Sequence, residues 1–386
     1  MTPPENAINQ PRTTARARVL VSGASFAGLA SAFWMSRLGY DVTVVEIAKQ
    51  LRKGGTPVDL EGEAIDVLTR MGIIDKVRAK ALPPRTLQFK NADDTEVGKM
   101  LAQPASHDAK YEIHRDDLLE ILLESVAHQV EILFGRSIAQ ITEGPNGVAV
   151  RFVDGAYGDY ALLLGCDGNR SNTRRLAFGQ TNDFSHFMGG YFAIKVVPTT
   201  DLLPANVSQI FSVPGQTAIL NGYDDRTDIA LAFRSDEEIE YDHRNRAQQR
   251  GMLHDHFDGL GWKVSDILEH LDADDDFYFD KINQIRMPLW SKGRVALVGD
   301  AGYCVSPLAG MGGSLAIVGA ARLGDALRNH GKDHVAAFHE YHDKLHGFVD
   351  EIQEKAVNFG MAIMFPSDEA EIAERNRAIG SGVIDL

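Results

Sequence analysis

Two hydrophobic textures alternate along the chain. Arg18-Val19-Leu20-Val21-Ser22 is a short apolar run of the kind buried in a parallel sheet. Residues 29–38 then carry a helical pattern closed by Gly39, and residues 41–45 read as a second strand, which makes a βαβ unit. Helices are expected over residues 62–71 and 73–79. An amphipathic helix is expected to start within Tyr111–Leu118, with Leu118, Ile121, Leu122 and Val126 on one stripe. Alternating segments at 130–134, 137–143 and 147–152 read as antiparallel strands. They lead into a further strand, 160–164, that ends in the acidic turn Cys166-Asp167-Gly168. Between about 178 and 278 the runs lengthen (190–197, 207–213, 217–223 and 229–234), with a polar helix near 243–260, as expected of a second domain built on a sheet. The strand–turn–helix texture resumes at Ile282, and a helical region over 335–365 closes the pattern.

The hydrophobic content of 44% over 386 residues supplies a core for two domains or one interleaved pair. A formal charge of −15 argues against a general nucleic-acid or acidic-membrane surface, so an anionic ligand needs a local nest of donors. Cys166 and Cys304 stand far apart and form no CxxC pair, which fits a reducing compartment. Residues 1–18 are polar, with no apolar run of the length a secretory signal needs. The apolar stretch over 19–35 is interrupted by Gly23, Ser25, Gly28 and Ser31 and is too short to span a bilayer. A cytoplasmic protein is expected.

The chemistry concentrates at three turns. Gly23-Ala24-Ser25-Phe26-Ala27-Gly28 lies between strand and helix and matches G-x-G-x-x-G at its first and third glycines, with Ser25 at the second. Glu46 ends the next strand 18 residues beyond Gly28, where a carboxylate accepts both ribose hydroxyls of an adenosine and disfavours a 2′-phosphate. NAD or FAD fits such a site. Arg52-Lys53-Gly54-Gly55 follows as a basic, glycine-rich loop that either faces phosphates or a flavin edge or forms an exposed turn. The second turn is Asp167-Gly168-Asn169-Arg170-Ser171-Asn172-Thr173-Arg174. The third runs from Arg294 through Gly299-Asp300-Ala301-Gly302 to Pro307, Gly310, Gly312 and Gly313, and places backbone N–H groups and one carboxylate at a strand's carboxyl end.

Other clusters fail as sites. The acidic run Asp272 to Asp276 carries Phe277 where a calcium loop needs Gly. His339, His342 and His346 do not make the zinc-protease motif, and no Gly-x-Ser-x-Gly elbow occurs. No metal is expected.

Together, the glycine turn with Glu46, Asp-Gly-x-x-Ser-x-x-Arg and Gly-Asp-Ala with Pro-x-x-Gly-x-Gly resemble the single-component (class A) FAD-dependent aromatic hydroxylases, the family of para-hydroxybenzoate hydroxylase. The wording is most similar to the tetracycline-inactivating monooxygenases in Arg52-Lys53-Gly54-Gly55, Asp276-Phe277-Tyr278-Phe279-Asp280, Gly299 to Cys304, and Ser306-Pro307-Leu308. The chain departs from the broader pattern at Tyr303, where His is frequent, Met311 (Gln), Gly313 (Asn) and Gly319 (Asp).

The resemblance implies an α/β fold in which a Rossmann-like FAD-binding domain (16–84, 110–177 and 280–330) interleaves with a β-sheet substrate domain (85–109 and 178–279). A disordered leader (1–15) precedes them and a C-terminal helical region (331–386) follows. It implies an enzyme that consumes NADPH and O2 and hydroxylates a tetracycline-type antibiotic through a flavin C4a-hydroperoxide, conferring resistance, with NADPH as transient co-substrate and the protein monomeric. The alternatives are another phenolic or polyketide substrate, or a polyketide-sequestering flavoprotein without turnover. A flavin halogenase is disfavoured because Trp34, Trp262 and Trp290 form no Trp-x-Trp motif.

By resemblance, Gly23 to Gly28 and Glu46 hold the adenosine half of FAD. Arg115 and Asp300 hold the ribityl and phosphate region, and Arg52, Lys53 and Asp59 contact the flavin or guide the nicotinamide. Asp167 and Arg174 connect the nicotinamide and flavin regions or form a structural ion pair. N–H groups around Gly310, Gly312 and Gly313 stabilise negative charge on the reduced ring, and Pro307 shapes the reaction face. The expected substrate wall is Tyr191, Phe192, Phe211, Phe233 and Arg234, covered by Phe359, Met361, Met364 and Phe365; core packing is the competing reading for these aromatics.

Overall fold

A computed structural model describes residues 16–52, 54–101, 110–198 and 202–381; the expected leader and Lys53 lie outside the described residues. β1 (Arg18–Ser22) is the centre of a six-stranded sheet of order β17 (Ser291–Lys292), β18 (Val295–Leu297), β11 (Leu162–Gly165), β1, β2 (Asp41–Glu46), β7 (Glu131–Phe134). All but β17 run parallel, so the carboxyl ends of β18, β11, β1 and β2 emerge along one edge. Near-continuous Val and Leu runs form such strands because both faces are covered.

Val19, Val21, Val42 and Val44 pack with helices α1 (Phe26–Arg37), α4 (Arg115–Val126), α9 (Gly312–His330) and α10 (His334–Lys355). Leu20, Val45 and Leu163 turn the other way. They meet an antiparallel sheet of β8 (Ile138–Gly144), β9 (Gly147–Phe152) and β10 (Tyr157–Tyr160), with α5 (Asn172–Ala177) beside it. α2 (Glu63–Met71) and α3 (Ile74–Ala79) extend the helical layer.

One local expectation is corrected. Residues 110–113 are not the start of a helix but strand β6 (Lys110–Ile113), which pairs antiparallel with β3 (Val58–Glu61). This ribbon supplies ladder hydrogen bonds that a local helical pattern cannot anticipate, and α4 therefore begins only at Arg115.

The second sheet has seven strands in the order β16 (Tyr278–Ile285), β12 (Ser185–Pro198), β15 (Arg226–Arg234), β14 (Gln216–Gly222), β13 (Val207–Val213), β4 (Thr86–Lys90), β5 (Glu96–Met100). β16 crosses the expected boundary at residue 280, because it pairs with β12 along its length. Helices α6 (Arg246–Phe257) and α7 (Val264–Asp272) cover one face, and α7 was not anticipated.

The other face looks toward the short helix α8 (Asp300–Tyr303) and the loop after it. There Leu308 packs with Phe192, Ala232 and Ile282. A π-turn at Ala356–Gly360, α11 (Met361–Met364) and Phe365 close over this face. α12 (Glu369–Gly380) lies beyond, with Arg375 donating to Ser212 Oγ at 3.1 Å.

Two departures from the family pattern meet in space. The Tyr303 hydroxyl stands 2.9 Å from the Tyr341 hydroxyl, which donates to Leu297 O at 3.0 Å. A Cβ on Gly319 would stand 1.9 Å from the Tyr303 hydroxyl oxygen, so Gly319 is the space that Tyr303 fills. Gly319→Ala is expected to destabilise the protein by about 1–3 kcal/mol through overpacking. Adding Tyr303→Phe, which removes the hydroxyl that the new Cβ would strike and keeps the buried ring, should recover much of the lost melting temperature; equal melting of Gly319→Ala and wild type would contradict this packing account.

Candidate active site

The first turn is built by close approach. Gly23 has φ +106, and a Cβ there would lie 2.5 Å from Cys166 O; a Cβ on Gly28 would lie 1.8 Å from Gly23 O. Ser25, the residue in place of the second glycine, folds inward: its Oγ donates to Cys166 O at 2.8 Å and accepts from Gly28 N at 3.3 Å. It thereby caps α1, which starts at Phe26, three residues earlier than expected. The hydroxyl is turned away from the space before the helix. Glu46 is pinned beside this turn, accepting from Ala24 N and Ala48 N, each at 2.9 Å.

At the end of β11, Asp167 accepts from Ser171 Oγ at 2.5 Å, Thr173 N at 2.8 Å and Thr173 Oγ1 at 2.9 Å. Its carboxylate is committed to the start of α5. The buried Arg174 donates to Ala301 O at 2.8 Å and Asn169 O at 2.5 Å, so it staples the second turn to the third instead of pairing with Asp167.

The third turn bends at Gly299, φ +68, and puts Asp300 at the head of α8. Burial pushes the Asp300 carboxyl up to about 6, with the Cys304 contact and Arg174 pulling the other way. Gly310, φ +67, turns the loop into α9. A Cβ on Gly312 would lie 3.9 Å from Asp300 Oδ1, and one on Gly313 would lie 3.3 Å from Val58 Cβ. The start of α9 is therefore kept open toward Asp300 and pressed against β3. There Ser314 Oγ donates to Asp59 O at 2.9 Å, while the Asp59 carboxylate lies 3.3 Å from Lys110 Nζ.

Arg115 closes the crevice from the side. Its Nη1 donates to Arg52 O at 2.9 Å, and its guanidinium lies 5.6 Å from the Phe26 ring. Asp116, which sequence reasoning missed, accepts from Gly54 N at 2.9 Å and holds the same loop. Gly54 and Gly55 both have positive φ, 89 and 100. Two helix N-termini, a ribose-type carboxylate and a glycine-lined opening thus face one crevice, and these residues fit a bound FAD.

The substrate sheet divides the expected wall residues. Tyr191, Phe211 and Phe233 point to the α6–α7 side and pack with Met252, Leu253 and Phe257. They are core, because odd-numbered positions of β12, β13 and β15 face the helices. Phe192 lies on the crevice side with Leu308, Met361, Met364 and Phe365. Arg234 stands at the outer end of β15, half exposed, 3.4 Å from Asp236. Pro307 is exposed at the start of its single turn, and Phe359 is 49% exposed, outside the cover formed by Met361 and Phe365.

The family model described as FAD binding domain matches residues 16–228 and 275–356. This chain belongs to that family and is an FAD-dependent monooxygenase. An uncharacterised protein of Mycobacterium tuberculosis is 38% identical over 87% of this chain and 91% of its own length. A flavin-dependent monooxygenase of Legionella longbeachae is 34% identical over 92% of each chain. The crystal structure of the tetracycline destructase Tet(51) has a TM-score of 0.84 at 32% identity, covering 95% of this chain and 96% of that one.

Two outcomes test the geometry. Asp300 holds its proton to higher pH in the folded protein than in the unfolded chain, so FAD-free protein should lose stability as pH rises from about 4 to about 6. Asp300→Asn should make that fall shallower, the remainder coming from the buried Asp228, whose carboxyl is pushed up to about 7. Phe233→Ala should cost about 3–5 kcal/mol in urea unfolding, whereas Phe192→Ala should leave stability near wild type; the reverse order would contradict the face assignment.

Proposed function

We propose that this monooxygenase hydroxylates a tetracycline-type substrate, with FAD as resident cofactor, NADPH as transient reductant and O2 as oxygen source. The observation that carries the reading is the likeness to Tet(51), which extends over 95% of the chain and so takes in the substrate sheet and C-terminal helices as well as the FAD-binding part. The crevice face of the sheet suits a flat polycycle: Phe192, Ile194, Ile219 and Ala230 are partly exposed there and form an even apolar floor.

Bound FAD would supply hydride acceptance from the nicotinamide and activation of O2 for transfer to an electron-rich carbon. The residues of this chain bind, orient and exclude water. Glu46 would take the adenosine ribose, the first turn of α1 the pyrophosphate, and Asp300 and Arg115 the middle of the cofactor. N–H groups at Gly312 and Gly313, at the positive end of α9, would stabilise negative charge at the edge of the reduced ring. Arg52 and Asp59 border the path that a nicotinamide would take. Leu308, Met361, Met364 and Phe365 supply the apolar cover that keeps the reacting space dry. Burial pushes both thiols, Cys166 and Cys304, up, so neither is poised as a nucleophile. A monomer working in the cytoplasm completes the proposal; among the described residues no helix is long and apolar enough to cross a membrane.

FAD-loaded protein given NADPH and a tetracycline should consume both NADPH and O2 and yield a product heavier by one oxygen in mass spectrometry. Oxygenation of simple phenols with none of a tetracycline would replace the substrate assignment. Tight tetracycline binding without turnover would favour sequestration.

A further inference from the structure

Among the described residues, twelve buried side-chain nitrogen and oxygen atoms have no hydrogen-bond partner, and six of them gather in one place. They are Arg85 Nη1, His114 Nδ1, Tyr223 Oη, Arg226 Nε and both carboxylate oxygens of Asp228. A buried polar group left unpaired is costly and rare, so half of all such atoms converging on one spot calls for an occupant.

The spot is the inner end of the substrate crevice. Asp228 lies on β15 two and four residues before Ala230 and Ala232, hence on the same face, with Val196 and Asn221 beside it on the neighbouring strands. Glu112 and His114, on and just after β6, face it from the flavin side. Arg85 spans the gap, donating to Glu112 Oε1 at 2.6 Å and Ser208 Oγ at 3.1 Å. Its guanidinium lies 4.9 Å from the Tyr223 ring, which stands 4.7 Å from the His114 ring. Arg226 Nε is 3.8 Å from Asp228 Oδ1, too far for a hydrogen bond, and its Nη1 is 3.7 Å from Asp116 Oδ2.

We propose that Asp228, Arg226 and Arg85 determine specificity by reading a carboxamide that adjoins an enol or phenol oxygen on the substrate. The assignment rests on the reading of the crevice as a polyketide site. Above about pH 7, where Asp228 is ionised, its carboxylate only accepts while a guanidinium only donates, so the occupant must present donor and acceptor on neighbouring atoms. A carboxamide does so: its N–H groups meet Asp228 and its carbonyl meets Arg226 Nε or Arg85 Nη1. The Tyr223 hydroxyl is left for the adjoining oxygen. A carboxylate ligand would satisfy the arginines but set a second negative charge against Asp228, and an amine would satisfy Asp228 and leave both arginines unpaired. Asp228 itself is fully buried, and the side chains of Arg226 and Arg85, 14% and 16% exposed, are what an entering group meets first. Burial pushes the Asp228 carboxyl up to about 7 against the pull of Arg226 and Arg85, and N–H donors from a ligand would bring it down again.

The test uses FAD-loaded protein and three small probes: salicylamide, salicylate and phenol. Calorimetry on wild type at about pH 8, where Asp228 is ionised, should show salicylamide binding at least tenfold tighter than either of the others. Asp228→Leu should erase that preference without changing FAD affinity, and Asp228→Asn should keep part of it, because its carbonyl still accepts. Arg226→Gln serves if Asp228→Leu does not fold, and should erase the preference likewise. Equal binding of the three probes to wild type, or an unchanged preference in the variants with a raised melting temperature, would overturn the proposal. Since no probe is a tetracycline, an intact preference together with inert tetracycline would refute the substrate reading alone.

Discussion

The carbonyl oxygen of Cys166 is the point on which the cofactor side of this protein turns. Three groups converge on this one residue at the end of β11. Gly23 approaches so closely that no Cβ fits, Ser25 donates its hydroxyl hydrogen to the carbonyl, and the Cys166 N–H is bonded to Ser22 O. The approach sets the distance between β1 and β11 where the chain leaves the sheet, and therefore the direction in which α1 starts. Once α1 is placed, Glu46 is reached by the Ala24 N–H, and Ala27 comes against Gly299, where a Cβ would stand 3.0 Å from the Ala27 Cβ. The third turn is thus positioned by the first. A serine at the middle glycine position is compatible with this design because its polar atom faces the neighbouring strand and reinforces the contact.

The substrate sheet is held to this frame chiefly through the second turn. Asn169 and Asn283 exchange side-chain hydrogen bonds of 2.7 and 3.0 Å, and Arg170 reaches Asp280 at 2.7 Å. Asp280 also accepts from the Tyr241 and Tyr278 hydroxyls, each at 2.9 Å. Asn169 and Arg170 are the two unspecified positions of Asp-Gly-x-x-Ser, yet they carry the domain contact, while the motif's Asp167 shapes the loop internally and Arg174 ties it to the third turn. Tyr278 and Asp280 belong to the run Asp276 to Asp280 noted in the sequence, and the structure gives that run a part: it anchors the edge strand β16 to the cofactor half.

The βαβ start and the three turns were legible in the sequence because each is written in contiguous residues whose spacing has a local cause. Gly23, Gly28 and Gly299 report close approach, and Glu46 reports a strand end. The substrate side was less legible for a geometrical reason. A strand alternates its faces, so a one-residue change in assigned face exchanges wall for core, and Tyr191 and Phe233 were drawn to the wall by their chemistry alone. Their neighbour Phe192 lies on the opposite, crevice-side face. The alternation Arg226-Thr227-Asp228 was a signal available in the sequence, since two charged residues two apart on a buried strand must share a face. Strand β6 left only a weak trace, because its partner β3 is 50 residues away in the chain and ladder pairing is non-local.

The departures from the family pattern fall into two kinds once they are placed. Tyr303 and Gly319 lie behind the third turn, where a larger side chain on α8 is matched by the absence of one on α9; the exchange preserves the packing that supports Asp300 and presents nothing new to the crevice. Gly313 differs. It lies at the open start of α9, and a Cβ there would press on Val58 of β3 at 3.3 Å, so the asparagine common in the family would need β3 to give by a few tenths of an ångström. Val58 precedes Asp59, whose carbonyl accepts from Ser314, so the closeness of β3 and α9 is fixed by a hydrogen bond next to the glycine. This chain has therefore exchanged a side-chain amide at the start of α9 for a closer approach of the helix to β3. Whatever charge develops there is left to the backbone N–H groups and the helix dipole to stabilise.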